Sequence, residues 1–324
     1  MKSLSAIAIL VSAALAATHP FATVDMVNKI NSAQSTWKAS LRTPTAQMTA
    51  EHFRSLLGVR RDVVDSSLYP ALPRKHFTAE QLAEVPETYD PRDFYSCKSM
   101  RQIRDQSKCG SCWAFGAVSA MSDRECMLHG EDIILSAEDV NSCSKGGDCS
   151  GGAPIMAWTY WRVAGIVTEK CRPYSLPRCD HYKSNATRPC PQKTFPTPAC
   201  VKECVNTSGL VWKEDKHKSE SIYTLSGEEE MMAELSANGP CESTFVIFED
   251  FLLYTGGVYQ HVTGTRQGEH AVKVMGYGVT EDGTKYWLCA NSWNEEWGEN
   301  GFFRILRGSN ECGIENDLYC GSPL

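Results

Sequence analysis

The spacing of apolar residues changes character partway along the chain. Over residues 25–37, Met26, Ile30, Ala33 and Trp37 recur at i, i+4, i+7 and i+11, the spacing of one helix face. A second short helix is predicted from Ala50, where Thr49 can cap the first turn and Glu51 suits its positive end. Phe53, Leu56 and Leu57 then share its inner face. Residues 69–75 are Pro-rich and read as an extended linker within reach of proteases. From about Val85 the chain turns dense in Gly, Cys and Trp. Residues 112–129 predict a helix, with Trp113, Gly116 or Ala117, Ala120 and Met121 along a face and Gly130 as its stop. Residues 136–141 and 226–237 read as short capped helices, the second through a Ser226/Glu229 capping box. Strand-forming runs follow at 241–248, 271–277, 286–292 and 302–306, the middle two joined by a turn at Asp282-Gly283. Helices first and strands second predict an α+β protein of two lobes.

The one continuous apolar run, residues 4–13, follows Lys2 and ends in small residues, the pattern of a secretory signal peptide over 1–16. It is too short to span a bilayer. Delivery to an oxidising lumen makes the 15 cysteines candidates for bridges rather than metal ligands, and the odd number leaves at least one thiol over. A net charge of −7 argues against nucleic acid or anionic membrane as partner, since both select basic surfaces. The 324 residues suffice for a two-lobed body and an accessory segment. That segment, 17–84, reads equally as a small N-terminal domain or a removable propeptide.

Candidate chemistry concentrates in Gln106-Ser-Lys-Cys109-Gly-Ser-Cys112-Trp-Ala-Phe115. A Cys112 that opens a helix places its sulfur among unsatisfied N–H groups, and a nearby imidazolium would depress its pKa further. The expected product is a thiolate at mildly acidic pH. His270, in Gly268-Glu269-His270-Ala271, can hold and return the proton. Asn291 can orient its ring and Trp293 can shield that bond, while Gln106 can stabilise an oxyanion with the Cys112 amide. Taken singly, each has a structural explanation. Cys109 and Cys112 also form a Cys-x-x-Cys pair suited to a thiol-disulfide oxidoreductase, and an inactive homologue serving as a binding module is a further alternative.

The Cys-Gly-Ser-Cys-Trp run together with the later His and Asn resembles the papain family of cysteine proteases. Within it, Ser122-Asp-Arg, Gly257-Val-Tyr-Gln-His-Val-Thr-Gly264 and Asn300-Gly-Phe-Phe-Arg are similar to the cathepsin B branch. The resemblance implies a papain-like two-lobed fold, with a helical left lobe, a β-barrel-like right lobe and the active-site cleft between them. Residues 1–16 would be signal peptide, 17–84 propeptide and 85–324 the peptidase domain, with an occluding-loop region at 171–204. In that branch the loop carries two adjacent histidines that bind a substrate's C-terminal carboxylate. Here only His181 is kept, poised to pair with Asp105, and Tyr182 takes the second place. The implied activity is a cysteine-type endopeptidase with residual dipeptidyl carboxypeptidase activity, made as a secreted zymogen for a lysosomal or extracellular digestive setting.

The resemblance also gives Gly151 and Gly152 to substrate backbone, Asp317 to the base of the S2 pocket and Trp297 to the S1′ wall. Glu269 replaces a small residue, and its charge would favour a protonated His270. Implied bridges are Cys97-Cys126, Cys109-Cys149, Cys143-Cys200, Cys171-Cys204 and Cys179-Cys190. Cys241, Cys289, Cys312 and Cys320 stay open between thiols and one added bridge. Asn185 and Asn206 head sequons for glycosylation. No cofactor and no metal are implied. Expected partners are protein and peptide substrates, the chain's own propeptide and cystatin-like inhibitors, acting on a monomer.

Overall fold

The computed structural model describes residues 22–33, 36–64, 71–181 and 188–324. The signal-peptide run, Tyr182 and Asn185 lie outside the described residues. The long helix Cys112–His129 forms as expected and ends where Gly130 turns left-handed at φ 74°. Its apolar face meets Pro154–Val163, and Trp113, Phe115, Val118, Met121, Trp158 and Trp161 build a helical core. The Pro154–Val163 helix, unanticipated from sequence, starts with Pro at its first turn, where a missing N–H costs nothing.

The other lobe is an eight-stranded sheet. Its strands run, in spatial order, Trp37–Ala39, Tyr254–Tyr259, Phe302–Leu306, Lys285–Ala290, Arg266–Val279, Cys241–Phe248, Leu318–Pro323 and Ser219–Leu225. A second core of Phe245, Phe251, Tyr254, Tyr259, Trp287, Trp293, Trp297 and Phe303 fills one side of it. Fully buried Arg124 ties the lobes together. From the long helix it donates to Glu234 Oε1 at 2.7 Å, to the Pro240 carbonyl at 2.6 Å and to the Gly321 carbonyl at 2.8 Å. Each guanidinium bond to a buried acceptor is satisfied, as burial of charge requires.

Two local expectations fail for tertiary reasons. The first helix, Val24–Ser32, stops before Trp37, because Trp37–Ala39 pairs with Tyr254–Tyr259 and becomes the sheet's edge strand. Backbone pairing and a fully buried indole outweigh the helical period there. The helix expected from Ser226 is instead Glu228–Asn238, with Gly227 as its N-cap at φ 87°. Ser226 thus falls one residue outside the cap position, and its hydroxyl accepts a bond from Arg74.

All five implied bridges are closed: Cys97–Cys126, Cys109–Cys149, Cys143–Cys200, Cys171–Cys204 and Cys179–Cys190. The open question over the other four resolves into a sixth bridge, Cys241–Cys320, between neighbouring strands. Cys289 and Cys312 stay free, as does Cys112.

Candidate active site

Cys112 sits at the first turn of the long helix with no side-chain cap before it, so amides at that helix tip are free to meet a charge. His270 lies on Arg266–Val279 of the opposing lobe. Its Nε2 meets Asn291 Oδ1 at 2.7 Å, and the Trp293 ring lies 4.7 Å away, tilted across the imidazole. The structure thus brings together Gln106, Cys112, His270, Asn291 and Trp293. Gln106 is fixed from both ends: its amide accepts from Ser292 Oγ at 2.7 Å and its N–H donates to the Ser292 carbonyl at 2.9 Å.

A segment of the same chain fills the cleft. The Leu56 carbonyl accepts from Gln106 Nε2 at 3.0 Å, and the Gly58 amide donates to Cys112 Sγ at 3.2 Å. The Gly152 amide donates to the Gly58 carbonyl and the Arg60 amide to the Gly152 carbonyl, both at 2.8 Å. The Val59 amide reaches the Glu269 carbonyl at 3.3 Å. Gly152 therefore does pair with a peptide backbone. No backbone bond joins Gly151 to this segment; it lies against the Arg60 side chain instead, at a φ of 121°. A Cβ on Gly152 would come within 2.4 Å of the Trp113 ring, so only glycine admits this approach.

Covering the cleft sets the charge states. Burial pushes the Cys112 thiol up to about 12, against the pull of the Ala271, Gly58 and Trp113 amides toward the thiolate. Burial likewise lowers His270 to about 4, opposed by its bond to Asn291. His270 Nδ1 makes no hydrogen bond of normal geometry, although the Leu56 carbonyl stands near enough to favour the charged ring. The thiolate expected from sequence is thus disfavoured in this closed form, because desolvation outweighs the helix tip. Glu269 does not act on the ring as anticipated. Its carboxylate turns to Arg266 at 2.9 Å and to Arg61 at 3.5 Å.

The remaining expected residues divide. Asp317 pairs with Arg61 at 3.0 Å. Trp297 does not wall a groove here; it is wholly buried between Trp293, Phe251, Tyr254 and Phe303, all large rings of the sheet core. His181 Nε2 lies 3.5 Å from Asp105 Oδ1, and its Nδ1 meets His52 Nε2 at 3.0 Å. Cys190 Sγ approaches the same pair, but its sulfur is bonded to Cys179 and offers no thiolate for a metal. Cys109, bonded to Cys149, cannot cycle with Cys112 as a redox pair.

Sequence reasoning gave no role in the site to His52, Leu56, Gly58 or Arg61. Gly58 offered the one usable signal, a glycine set between an apolar helix face and an arginine pair. A Cβ there would fall 1.9 Å from the Gly110 carbonyl oxygen.

A helical lobe that supplies a buried sulfur and a sheet lobe that supplies an Asn-oriented imidazole define a thiol-dependent hydrolase site. Residues 85–322 match the family described as papain family cysteine protease. Cathepsin B-like cysteine proteinase 6 of Caenorhabditis elegans is 43% identical over 316 residues, spanning 92% of this chain and 83% of that protein. The cathepsin B-like cysteine proteinase of Schistosoma japonicum is 45% identical over 251 residues, spanning 74% of this chain and 73% of its own length. Among solved structures, proCathepsin B S9 from Trypanosoma congolense superposes with a TM-score of 0.83 at 36% identity, covering 94% of this chain and all of that one. The chain belongs to the papain family of cysteine proteases, with relatives of the cathepsin B-like kind.

Proposed function

We propose that the chain is a zymogen in which residues 17–84 are an inhibitory propeptide and 85–324 a cysteine endopeptidase. Once the cleft opens, the Cys112 proton passes to His270 and the thiolate attacks a peptide carbonyl carbon. Gln106 Nε2 and the Cys112 amide hold the oxyanion, and His270 protonates the departing amine as the C–N bond breaks. Water, deprotonated by His270, then cleaves the thioester, releasing the acid and restoring the thiol. Asn291 keeps the imidazole aimed throughout.

One observation carries this reading: the Leu56 carbonyl occupies the Gln106 donor while the Gly58 amide caps the sulfur. The carbonyl of the Leu56–Leu57 peptide already rests on the donor that would polarise a substrate carbonyl, while the N–H of the next peptide group, Leu57–Gly58, and not a carbonyl carbon faces the nucleophile. The bond therefore survives. With Tyr182 replacing a positively charged partner, carboxydipeptidase activity is expected to be weak beside endopeptidase activity. The N-terminal apolar run supports synthesis for the secretory pathway, with a lysosomal or extracellular digestive destination.

The test is peptide hydrolysis after acid activation, with and without a thiol alkylator and with Cys112→Ser. Activity abolished by both treatments, and similar rates on blocked and free C-termini, are expected. Full activity in Cys112→Ser would refute the mechanism.

A further inference from the structure

The helix that opens at Cys112 carries a second cluster at its far end, about 20 Å along its axis from the sulfur. Glu125 is buried there, its side chain 3% exposed, and among the described residues its carboxylate accepts no hydrogen bond. Its one basic neighbour within ion-pair reach is His129, one turn on, with Nδ1 3.4 Å from Oε2. Glu131 folds back over the same turn, its amide donating to the Glu125 carbonyl at 3.3 Å. His217 comes from a distant part of the chain, just before the strand Ser219–Leu225, and is held by backbone bonds to Ile166 at 2.8 and 2.9 Å. Its Nδ1 lies 3.6 Å from Glu131 Oε2. One ligand atom from each of Glu125, Glu131 and His217 lies within 4.8 Å of the others.

Two carboxylates this close repel one another, and burial followed by the Glu131 charge raises Glu125 to about 7. The buried carboxylates of Glu234 and Asp123 are met by Arg124 and Lys273. Here the partners within ion-pair reach, among the described residues, are imidazoles, which coordinate metals when neutral. Ligands around a tetrahedral zinc ion stand about 3.3 Å apart, given bonds of about 2.0–2.2 Å. The contacts at 3.4 and 3.6 Å already approach that spacing. A helix, its closing turn and a backbone bridge to Ile166 hold the donors in place.

We infer that Glu125, Glu131 and His217, with His129 in place to add a fourth donor, bind a divalent ion of the zinc class on the helical lobe. The ion staples the end of the helix that carries the nucleophile to the segment entering the edge strand. It takes no part in bond breaking.

The test uses full-length Cys112→Ser protein, so that the nucleophile cannot take up metal, near pH 7.5, because ligands must shed protons to coordinate. Thermal unfolding is followed in zinc chloride, magnesium chloride or EDTA, and zinc affinity is measured by equilibrium dialysis. Zinc should raise Tm by about 3 °C or more over EDTA, and magnesium should not. Added to that background, Glu125→Gln and His217→Gln should each lose most of the rise and bind zinc about tenfold or more weakly. His52→Gln, which alters the other histidine pair, should keep both. Comparing each variant with itself in EDTA removes any change in its intrinsic stability. Absence of a zinc-induced rise, an undiminished rise in Glu125→Gln and His217→Gln, an equal response to magnesium, or loss of the rise in His52→Gln overturns the site.

Discussion

The Leu56 carbonyl and the Gln106 side-chain amide meet at 3.0 Å, in a bond that joins the N-terminal segment to the donor expected to hold an oxyanion. The closed cleft is therefore guarded by the same groups that would act on substrate. In the proposed zymogen the block would be chemical as well as steric.

Gly58→Ala should loosen this guard. An added methyl would overlap the Gly110 carbonyl oxygen at 1.9 Å, and backbone cannot yield as a flexible side chain could. Overpacking of this kind costs roughly 1–3 kcal/mol. In the unprocessed chain, alkylation of Cys112 should accelerate by about tenfold or more. An unchanged alkylation rate would show that the segment does not depend on this close approach.

Acid should weaken the contact between His52 and His181. Burial, followed by the nearby His181 and Lys108, lowers His52 to about 3, so the closed form holds it neutral. Asp105 sits on the far side of His181. A base with its pKa lowered below the free value of about 6.5 stabilises the closed form above that pH. The stabilisation is lost as pH falls from about 6.5 toward 3, by at most roughly tenfold per unit. Stopped assays of propeptide release between pH 4 and 7 should show a flatter profile for His52→Gln than for wild type.

Asn291→Ala should cut kcat/KM on the order of a hundredfold, with KM little changed, by freeing the imidazole that the 2.7 Å bond orients. Steady-state kinetics on processed protein would measure it. A large rise in KM with kcat intact would assign Asn291 to binding instead.

The Cys241–Cys320 bridge joins strands separated by 79 residues of chain. Replacing both cysteines with serine should lower stability by about 2–4 kcal/mol in denaturant unfolding. Non-reducing peptide mapping should find Cys289 and Cys312 as thiols.

The long helix could be read from sequence because its signals are local: a helix-forming run closed by Gly130. The meeting of Cys112, His270 and Asn291 could be read only through family motifs, since Cys112 comes from the helical lobe and the His270–Asn291 pair from a strand and a strand end of the other. What stayed hidden depended on chain segments far apart. Trp37 looked helical until a sheet edge claimed it, Ser226 looked like a cap but falls one residue outside the cap position with its hydroxyl turned to Arg74, and Trp297 looked like a groove wall before the rings around it were known. The apolar pattern of the N-terminal segment showed helices, but not that Leu56, Gly58 and Arg61 lie along the cleft.

The edge strand Trp37–Ala39 gives activation a further requirement. Lys38 stands opposite Gly256 and Trp37 opposite Gly257, where a Cβ would fall 2.6 Å from the Thr36 carbonyl oxygen and crowd the pairing. In the proposed zymogen, withdrawing the segment from the nucleophile alone would leave this seam intact, so release of a cut segment would also require the edge strand to unpair. Such release would turn the backbone groups of Gly256 and Gly257 toward water.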